Sequence, residues 1–220
     1  MLDLLLPQRC LICAAPGAQV CEDCTASLRR VRAPLCERCG APTAWPVSRC
    51  VECGGRRLAF ALARAALEYD QRVRRVVGAW KERGLRHLAA WAAGVVAESL
   101  ACPEAACLTF VPGDPDRGLR RGHHPAERLA AELAAVWDLP LEPLLIRVRG
   151  SPRQRGLTHV QRRRNIAGAF LARRRVPARV VLVDDVYTTG ATAGAAASAL
   201  NKGGARRIEV VTFARTIRVR

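Results

Sequence analysis

The chain has 220 residues, enough for one medium-sized hydrophobic core and a smaller appended unit. Half of the residues are hydrophobic, so the composition excludes a disordered or low-complexity polypeptide. The formal net charge of +17, from 36 Lys and Arg against 19 Asp and Glu, favours polyanionic partners: a nucleic acid, a phosphorylated small molecule or an anionic membrane surface. For any single arginine, the alternative is a solvated surface position.

The apolar segments argue against export and membrane insertion. Residues 1–6 are apolar but include Asp3 and lack a basic leader. No run reaches the about 18 uninterrupted apolar residues that a spanning helix needs. The nearest run, residues 88–96, is followed by Glu98. We therefore expect no membrane span and a cytoplasmic protein.

Eight of the ten cysteines form four Cys-x-x-Cys pairs near the start of the chain. In chain order the pairs are Cys10 and Cys13, Cys21 and Cys24, Cys36 and Cys39, and Cys50 and Cys53. Four thiolates can surround one tetrahedral Zn²⁺, and the metal would supply folding energy to a segment with little periodic hydrophobic pattern. We predict two structural zinc sites rather than disulfides. The spacing leaves open whether each site uses consecutive pairs or a cross-braced set.

The composition changes near residues 54–56, where the cysteine pairs end. This change predicts a double zinc-binding module at residues 1–56 and a second domain at residues 57–220. The remaining cysteines, Cys102 and Cys107, are interpreted as ordinary buried thiols.

Beyond residue 56, apolar strands alternate with segments of helical period. Strands are predicted at residues 60–69, 108–111, 141–148, 180–183 and 208–213. Helices are predicted at residues 71–77, 85–100, 125–137 and 193–200. Such alternation is typical of an α/β fold, a mostly parallel sheet with helices on both faces.

Charge is most asymmetric between residues 143 and 183, where eleven arginines occur without an acid. This segment could close over pyrophosphate, follow a nucleic-acid backbone, or form a solvated loop. We predict binding of single-stranded DNA with little sequence preference, with Arg162, Arg163 and Arg164 among the phosphate contacts. Aromatic side chains for stacking on bases are scarce, since only Phe170 and Tyr187 lie nearby.

Two adjacent histidines, His123 and His124, lie in a loop that follows Gly122. They could bind phosphate or act as acid and base. Because the sequence shows no partner carboxylate, we interpret them as surface residues.

Two acids and a loop of small residues follow the apolar run at residues 180–183. Asp184 and Asp185 lie where open parallel sheets bind their ligands, and their carboxylates can accept hydrogen bonds from vicinal ribose hydroxyls. The loop consists of Thr188, Thr189, Gly190, Ala191 and Thr192. It offers backbone amides and hydroxyls to a phosphate at the positive end of a helix. Helix capping, the alternative, requires fewer acids and threonines than are present.

This segment resembles the phosphoribosyl pyrophosphate motif of type I phosphoribosyltransferases. The resemblance implies that Asp184 and Asp185 bind the ribose 2′ and 3′ hydroxyls and that residues 188–192 bind the 5′-phosphate. It also implies phosphoribosyl pyrophosphate with Mg²⁺ as the ligand and a phosphoribosyltransferase-like fold for residues 57–220.

Combined with the Cys-x-x-Cys run, the motif resembles the ComF family over nearly the whole chain. Further similar stretches are Tyr69-Asp70-Gln71 with Lys81, Val111-Pro112 with Arg117, Arg120 and Arg121, and Arg153-Gln154 with Asn165 and Phe170. The resemblance implies that Arg117 and Arg121 contact pyrophosphate. His123-His124-Pro125 departs from the Phe-Asn-Gln that usually follows Arg-Gly in the family, and Gln161 replaces a common Glu.

Two functions are compatible with these features. One is an enzyme that displaces pyrophosphate from an activated ribose 5-phosphate, in competence or nucleotide metabolism. The other is a non-catalytic single-stranded DNA-binding protein of the transformation machinery. The family's association with competence further implies a competence helicase as a partner.

Overall fold

The computed structural model describes residues 8–114, 123–148 and 168–217. The predicted phosphate contacts at Arg117, Arg121 and residues 162–164 lie outside these ranges. The helices are α1 (Glu22–Ala26), α2 (Gln71–Glu82), α3 (Leu88–Ser99), α4 (Pro125–Trp137) and α5 (Ala191–Lys202). The strands are β1 (Leu62–Glu68), β2 (Cys107–Phe110), β3 (Leu145–Arg147), β4 (Phe170–Ala172), β5 (Arg179–Tyr187) and β6 (Arg207–Arg215).

Four parallel strands form the main sheet, in the order β1-β6-β5-β2. Val181 and Val183 of β5 belong to the core formed with α2, α3 and α4, whereas Val180 and Leu182 belong to the core formed with α5. A strand covered on both faces must be apolar throughout, which explains the continuous run that the sequence shows here. The predicted α/β fold, a mostly parallel sheet with helices on both faces, is confirmed.

β5 is longer than its apolar run indicates. It continues to Tyr187, so Asp184 and Asp185 lie within the strand and not after its end. Asp has a low intrinsic preference for strands. Pairing with β6 overrides that preference, since Asp184 is opposite Thr212 and Tyr187 is opposite Arg215.

A separate two-stranded antiparallel sheet is formed by β3 and β4. The strand predicted at residues 141–148 is therefore reduced to three residues, and β4 was not predicted because it lies in the arginine-rich segment. The Arg147 guanidinium lies 5.5 Å from the ring centroid of buried Phe170. Cross-strand packing of this kind stabilises a sheet that is too short to stand alone.

Two helices, α2 and α4, begin where their sequence signals predict. α4 has the predicted bounds, with Pro125 in its first turn and Asp138 in the left-handed conformation at its end. α2 begins after Asp70, whose side chain accepts a hydrogen bond of 2.9 Å from the Val73 N–H, and it extends five residues beyond the predicted end. Among the described residues, no helix combines the length and apolar character needed to cross a membrane.

The cysteine-rich segment packs directly on the sheet. We name residues 8–31 the first cysteine unit and residues 34–57 the second cysteine unit. The first unit hydrogen-bonds to edge strand β1 through the Val31 N–H and the Ala66 carbonyl at 2.9 Å. The second does so through the Arg38 carbonyl and the Ala63 N–H, also at 2.9 Å. The two units thus cover the backbone groups that an edge strand otherwise leaves open.

Both cysteine units also contribute to the hydrophobic cores. Cys10 and Cys24 belong to the core of α2, α3 and α4, and Cys36 and Cys53 belong to the core of α5. The expectation that this segment gains its order from metal rather than from a core was therefore incomplete. The domain division between residues 56 and 57 stays a prediction.

Candidate functional site

The eight cysteines of the module lie in two groups of consecutive pairs. The groups are Cys10, Cys13, Cys21 and Cys24, and Cys36, Cys39, Cys50 and Cys53, each with its sulfur atoms within 4.8 Å of one another. In the second group the Sγ atoms are 3.5 Å apart for Cys39 and Cys50, and 3.6 Å apart for Cys36 and Cys53. Four sulfurs at about 2.3 Å from a tetrahedral Zn²⁺ would be about 3.8 Å apart. Each group therefore fits one zinc ion, and the pairing is consecutive rather than cross-braced.

Crowding of the thiols shifts their pKa values in opposite directions within each group. Burial opposes ionisation of Cys10, but backbone hydrogen bonds from Cys13, Cys21 and Ile12 lower its pKa to about 6. Burial and the neighbouring cysteines instead raise the pKa of Cys24 to about 12. In the second unit, backbone hydrogen bonds lower the pKa of Cys36 to about 7 against the effect of burial. A set of four thiolates needs positive charge in its centre, which Zn²⁺ supplies.

The two cysteines outside the units differ in exposure. Cys107 is buried in β2, and burial raises its pKa to about 11. Cys102 is exposed, in the loop between α3 and β2. The prediction of a buried thiol was therefore wrong for Cys102, because a loop position carries no periodicity from which burial can be deduced.

The acid pair is held from one side by α2. Lys81, in the last turn of α2, places its Nζ 2.8 Å from Oδ2 of Asp185. Burial alone would lower the pKa of Lys81, but attraction to Asp185 raises it. Burial and then the charge of Asp185 raise the pKa of Asp184 to about 7. Asp185 is thus fixed in an ion pair, whereas Asp184 gains or loses its proton near neutral pH.

The loop after β5 makes a tight turn at the start of α5. Gly190 has φ +70°, and a Cβ at this position would lie 2.5 Å from Cζ of Tyr187, so the turn requires glycine. α5 begins at Ala191, two residues earlier than predicted, which places Thr192 in its first turn. No described residue accepts a hydrogen bond from the N–H of Thr189 or Gly190. These N–H groups and the helix N-terminus attract an anion.

A cavity of about 360 Å³ brings the acids and part of the loop together. Asp184, Asp185, Thr188 and Thr192 all line it. The other polar lining residues are Tyr69, Lys81, Asp114, His123, His124 and Arg147. Gly190 and Ala191 line a different groove, and Thr189 lines neither.

The histidines lie in this cavity and not on the free surface. His123 is 6% exposed, so its interpretation as a surface residue was wrong. The ring of His124 lies against Gly113, where a Cβ would be 3.0 Å from Cε1 of His124. The only signal in the sequence was their position directly before Pro125, which starts the partly buried helix α4. Arg147 was not predicted as a residue of this cavity either. It is distant from the acid pair in the sequence, and only the fold brings them together.

A larger groove of about 1030 Å³ runs along α5. Its small lining residues on α5 and the preceding turn are Gly190, Ala191, Gly194, Ala195 and Ser198. Its cationic lining residues are Arg56, Arg57, Arg174, Arg175 and Lys202. No acidic residue lines the groove in the part of the chain that the structure describes.

Comparison with known proteins gives one match to the cysteine module and further matches along the chain. Residues 1–54 match the family model of a double zinc ribbon domain. The DNA utilization protein YhgH of Salmonella typhimurium is 28% identical over 232 residues, which cover 97% of this chain and 100% of that protein. YhgH of Escherichia coli K12 is 26% identical with the same coverage. Competence protein F of Haemophilus influenzae is 38% identical over 121 residues, 53% of this chain and 52% of that protein.

Two solved structures have weaker similarity. The glutamine phosphoribosylpyrophosphate amidotransferase from B. subtilis, complexed with ADP and GMP, is 24% identical with a TM-score of 0.38, over 59% of this chain and 26% of that chain. The protein TT1426 from Thermus thermophilus is 21% identical with a TM-score of 0.32, over 61% of this chain and 83% of that chain.

The parallel sheet, with its acid pair and small-residue turn on a central strand, defines an α/β protein, here joined to a double zinc ribbon. The similarity to YhgH extends along nearly the whole chain, and that to Competence protein F along half of it. These relatives agree with the resemblance to the ComF family that the sequence motifs indicate.

Proposed function

We propose that the cavity of about 360 Å³, which the acid pair lines, binds phosphoribosyl pyrophosphate. Asp184 and Asp185 would accept hydrogen bonds from the ribose hydroxyls, and residues 188–192 would hold the 5′-phosphate. The observation that carries the proposal is that one cavity is lined both by the acid pair and by Thr188 and Thr192 at the start of α5. A sugar phosphate presents hydroxyls and a phosphate within one small molecule, so it needs both kinds of group this close together.

The cavity also suits the Mg²⁺ that accompanies pyrophosphate. Mg²⁺ prefers oxygen ligands and is usually held by one or two carboxylates together with substrate phosphates and water. Asp114 lines the same cavity and could contribute one of these carboxylates. When bound, the ion would neutralise charge on the pyrophosphate.

In the enzymatic form of the proposal, the protein is a pentosyl transferase that acts mainly by positioning and electrostatics. Positive charge would grow on the ribose ring as pyrophosphate leaves, beside the acid pair. Arg147 lines the same cavity and adds a cation for the leaving group, and the pyrophosphate contacts of Arg117 and Arg121 stay predictions. His123 and His124 line the cavity and are residues of a type that can move a proton to or from an acceptor.

The first test is a calorimetric titration with phosphoribosyl pyrophosphate and Mg²⁺, followed by a pyrophosphate-release assay over candidate nucleobases. Binding with release supports the enzyme. Binding without release supports a non-catalytic use of the site. Failure of the folded, zinc-loaded protein to bind the ligand would contradict the proposal.

Substitutions at the acid pair and at the loop give a sharper test. Replacement of either acid, by Asp184→Asn or Asp185→Asn, should weaken phosphoribosyl pyrophosphate binding roughly ten- to a hundred-fold, because a charged hydrogen bond is lost. Binding of inorganic phosphate should change little. Gly190→Val should weaken binding of both phosphoribosyl pyrophosphate and inorganic phosphate, since the valine Cβ would overlap the Tyr187 side chain. Asp138→Asn is the matched control, because Asp138 is exposed at the end of α4, where Asn tolerates the left-handed conformation.

A second candidate function, single-stranded DNA binding, is favoured by the groove along α5. Arg57, Arg175 and Lys202 line it, and none of them has a carboxylate partner among the described residues. A row of cations above a floor of small side chains would accommodate a phosphodiester backbone without reading its sequence. The arginine-rich segment enters the described part of the chain again at Gly168, which lines the same groove.

The salt dependence of DNA affinity tests this candidate. A dye-labelled oligothymidylate, followed by fluorescence anisotropy at several salt concentrations, should bind the parent with a steep salt slope. Combined Arg57→Ala, Arg175→Ala and Lys202→Ala should reduce the slope by about 2, at about 0.7 for each lost contact with a single strand.

An equal loss of charge on another face provides the control. Combined Arg74→Ala, Arg75→Ala and Arg83→Ala removes three exposed cations at α2, which packs in the other core, and should leave the slope unchanged. Equal slopes for both triple variants would contradict the groove as the binding surface. The predicted DNA contacts at Arg162, Arg163 and Arg164 would then be tested next.

The biological setting proposed here is DNA uptake in competence. The names of the relatives, a competence protein and DNA utilization proteins, support it. A cytoplasmic location and a competence helicase partner stay predictions. Co-purification of the helicase with the tagged protein from competent cells would test the latter.

A further inference from the structure

A buried arginine connects the second cysteine unit to the end of β5. Arg215 is 1% exposed, and its Nη1 donates to the Cys39 carbonyl at 2.6 Å while its Nη2 donates to the Glu52 carboxylate at 3.2 Å. One guanidinium thus bridges both Cys-x-x-Cys pairs of the unit. It also lies 5.3 Å from the ring centroid of Tyr187, its neighbour across the sheet. The buried ion pair and the cation–π contact tie this part of the unit to β5.

Arg56 connects the same unit to the loop itself. Its Nη2 donates to the Thr189 carbonyl at 2.6 Å, and its Nη1 donates to the backbone carbonyl of Glu52 at 3.3 Å. The peptide group that joins Thr189 to Gly190 is planar and trans. When its carbonyl is directed to Arg56, the N–H of Gly190 must face the opposite way, away from the second cysteine unit. Arg56 therefore sets the direction of one of the loop amides.

Tyr187 contacts both Arg215 and the turn at Gly190. Its ring occupies the space beneath Gly190, as the 2.5 Å distance from a Cβ there to Cζ of Tyr187 shows. The residue after Arg215 adds a further contact, since the Thr216 hydroxyl donates to the Thr188 carbonyl at 3.1 Å. The Thr188 carbonyl is therefore held by the residue after β6, and the Thr189 carbonyl is held by Arg56 of the second cysteine unit.

The first cysteine unit has a different set of contacts. Trp91 of α3 donates to the Thr25 hydroxyl at 3.0 Å, and Arg72 of α2 donates to the Ser27 hydroxyl at 3.0 Å. Within residues 8–114, 123–148 and 168–217, no hydrogen bond joins the first unit to residues 188–192. The two units are therefore unequal in their access to the loop.

From these contacts we infer that Arg56 and Arg215 are positioning residues, through which the second cysteine unit holds the loop at residues 188–192 in its phosphate-binding conformation. This inference rests on the proposed function of the loop. Affinity for the phosphate group of the ligand then depends on the second unit and its zinc. It does not depend on the first unit, although the two have the same ligand chemistry.

The test compares one arginine from each unit's contacts by two measurements. Arg56→Gln removes a cation that holds the loop, and Arg72→Gln is the matched control at the first unit. Calorimetry with inorganic phosphate, and with phosphoribosyl pyrophosphate and Mg²⁺, measures ligand affinity. Amide hydrogen exchange of residues 188–192 in the ligand-free protein measures loop order, and zinc analysis verifies that both variants retain two ions.

Arg56→Gln should weaken binding of both ligands about tenfold, because one charged hydrogen bond that orders the loop is lost. It should accelerate amide hydrogen exchange of residues 188–192 by a similar factor. Arg56→Lys should restore part of both, because it keeps one charged donor. Arg72→Gln should change neither. A second variant, Arg215→Lys, keeps the charge but lacks the paired donors that bridge Cys39 and Glu52, and it should accelerate loop exchange in the same way.

The two measurements separate the inference from the proposed function. The inference is overturned if amide hydrogen exchange of residues 188–192 is equally fast in the parent, Arg56→Gln and Arg215→Lys. This holds whether or not the parent binds ligand. Loop exchange that responds only to the second-unit variants supports it, even if phosphoribosyl pyrophosphate fails to bind and the proposed function is lost. Accelerated loop exchange in Arg72→Gln would also overturn it, since the two units would then be equivalent.

Discussion

The two cysteine units share one kind of metal site but support different parts of the molecule. The first packs against α2 and α3, where Cys10 and Cys24 belong to the core of those helices. The second belongs to the core that includes α5 and contacts the candidate phosphate loop through Arg56. The thiols themselves do not account for this difference. The residues around each group of thiols, and not the thiols, make these different contacts.

The largest expected effect is the loss of one zinc ion from either unit. The reduced parent should contain two zinc ions per chain, and Cys13→Ser or Cys36→Ser should each retain one. Apparent binding of structural zinc is worth about 10 kcal/mol or more, so each change should disorder its own unit. Only Cys36→Ser should also abolish binding of phosphoribosyl pyrophosphate, as measured by zinc analysis and calorimetry. One ion or none in the parent, or equal loss of binding in both variants, would contradict this prediction.

Removal of one arginine from the contacts of each cysteine unit should lower the free energy of unfolding by different amounts. Arg215→Met leaves Glu52 without its buried partner and should destabilise the protein by about 3 to 5 kcal/mol. Arg30→Met removes an ion pair with Glu98, whose side chain is 70% exposed, and should cost about 1 kcal/mol or less. Urea unfolding in the presence of zinc measures both. Adding Glu52→Gln should recover part of the loss in Arg215→Met, and failure to do so would assign the effect to packing alone.

A pH titration should distinguish the site from the first unit. Because burial raises the pKa of Asp184 from 3.8 to about 7, the folded protein binds this proton more tightly than the unfolded chain does. The resulting stabilisation is complete below pH 3.8 and is lost as the pH rises through 7.

Between about pH 6 and about pH 8.5, the parent should therefore lose about 1 kcal/mol more stability than Asp184→Asn, which stays neutral. Thermal unfolding across the range measures the difference. Thr25→Val, at the first unit, should follow the parent, and parallel profiles for all three proteins would contradict the assignment to Asp184.

The smallest effect is expected from that first-unit substitution itself. Thr25→Val removes the acceptor of the Trp91 indole N–H and the hydroxyl that donates to the Cys21 carbonyl at 3.0 Å. The protein should lose about 1 kcal/mol of stability. Affinity for phosphoribosyl pyrophosphate should equal that of the parent. A weaker affinity, measured by the same calorimetry, would mean that the first unit also supports the loop.

Local signals in the sequence predicted those features that depend on neighbouring residues. α4 was predicted with its observed bounds because Pro125 begins it and its apolar period ends at Trp137. The end of β5 was placed too early, since Asp184 and Asp185 lack strand preference and only the pairing with β6 extends the strand. The burial of His123 could not be predicted either, because it depends on how the start of α4 packs and not on the loop's own residues.

The sequence by itself determined the zinc ligands, the central apolar strand and the acid pair with its small-residue turn, because each is encoded within about twenty residues of chain. Only the tertiary structure decided what these parts do to one another. Arg215 is 176 positions from Cys39, and Arg56 is 133 positions from Thr189, yet both pairs are joined by hydrogen bonds of 2.6 Å. Parallel pairing places the ends of distant strands side by side, and no local pattern of hydrophobicity or spacing records which residues meet there.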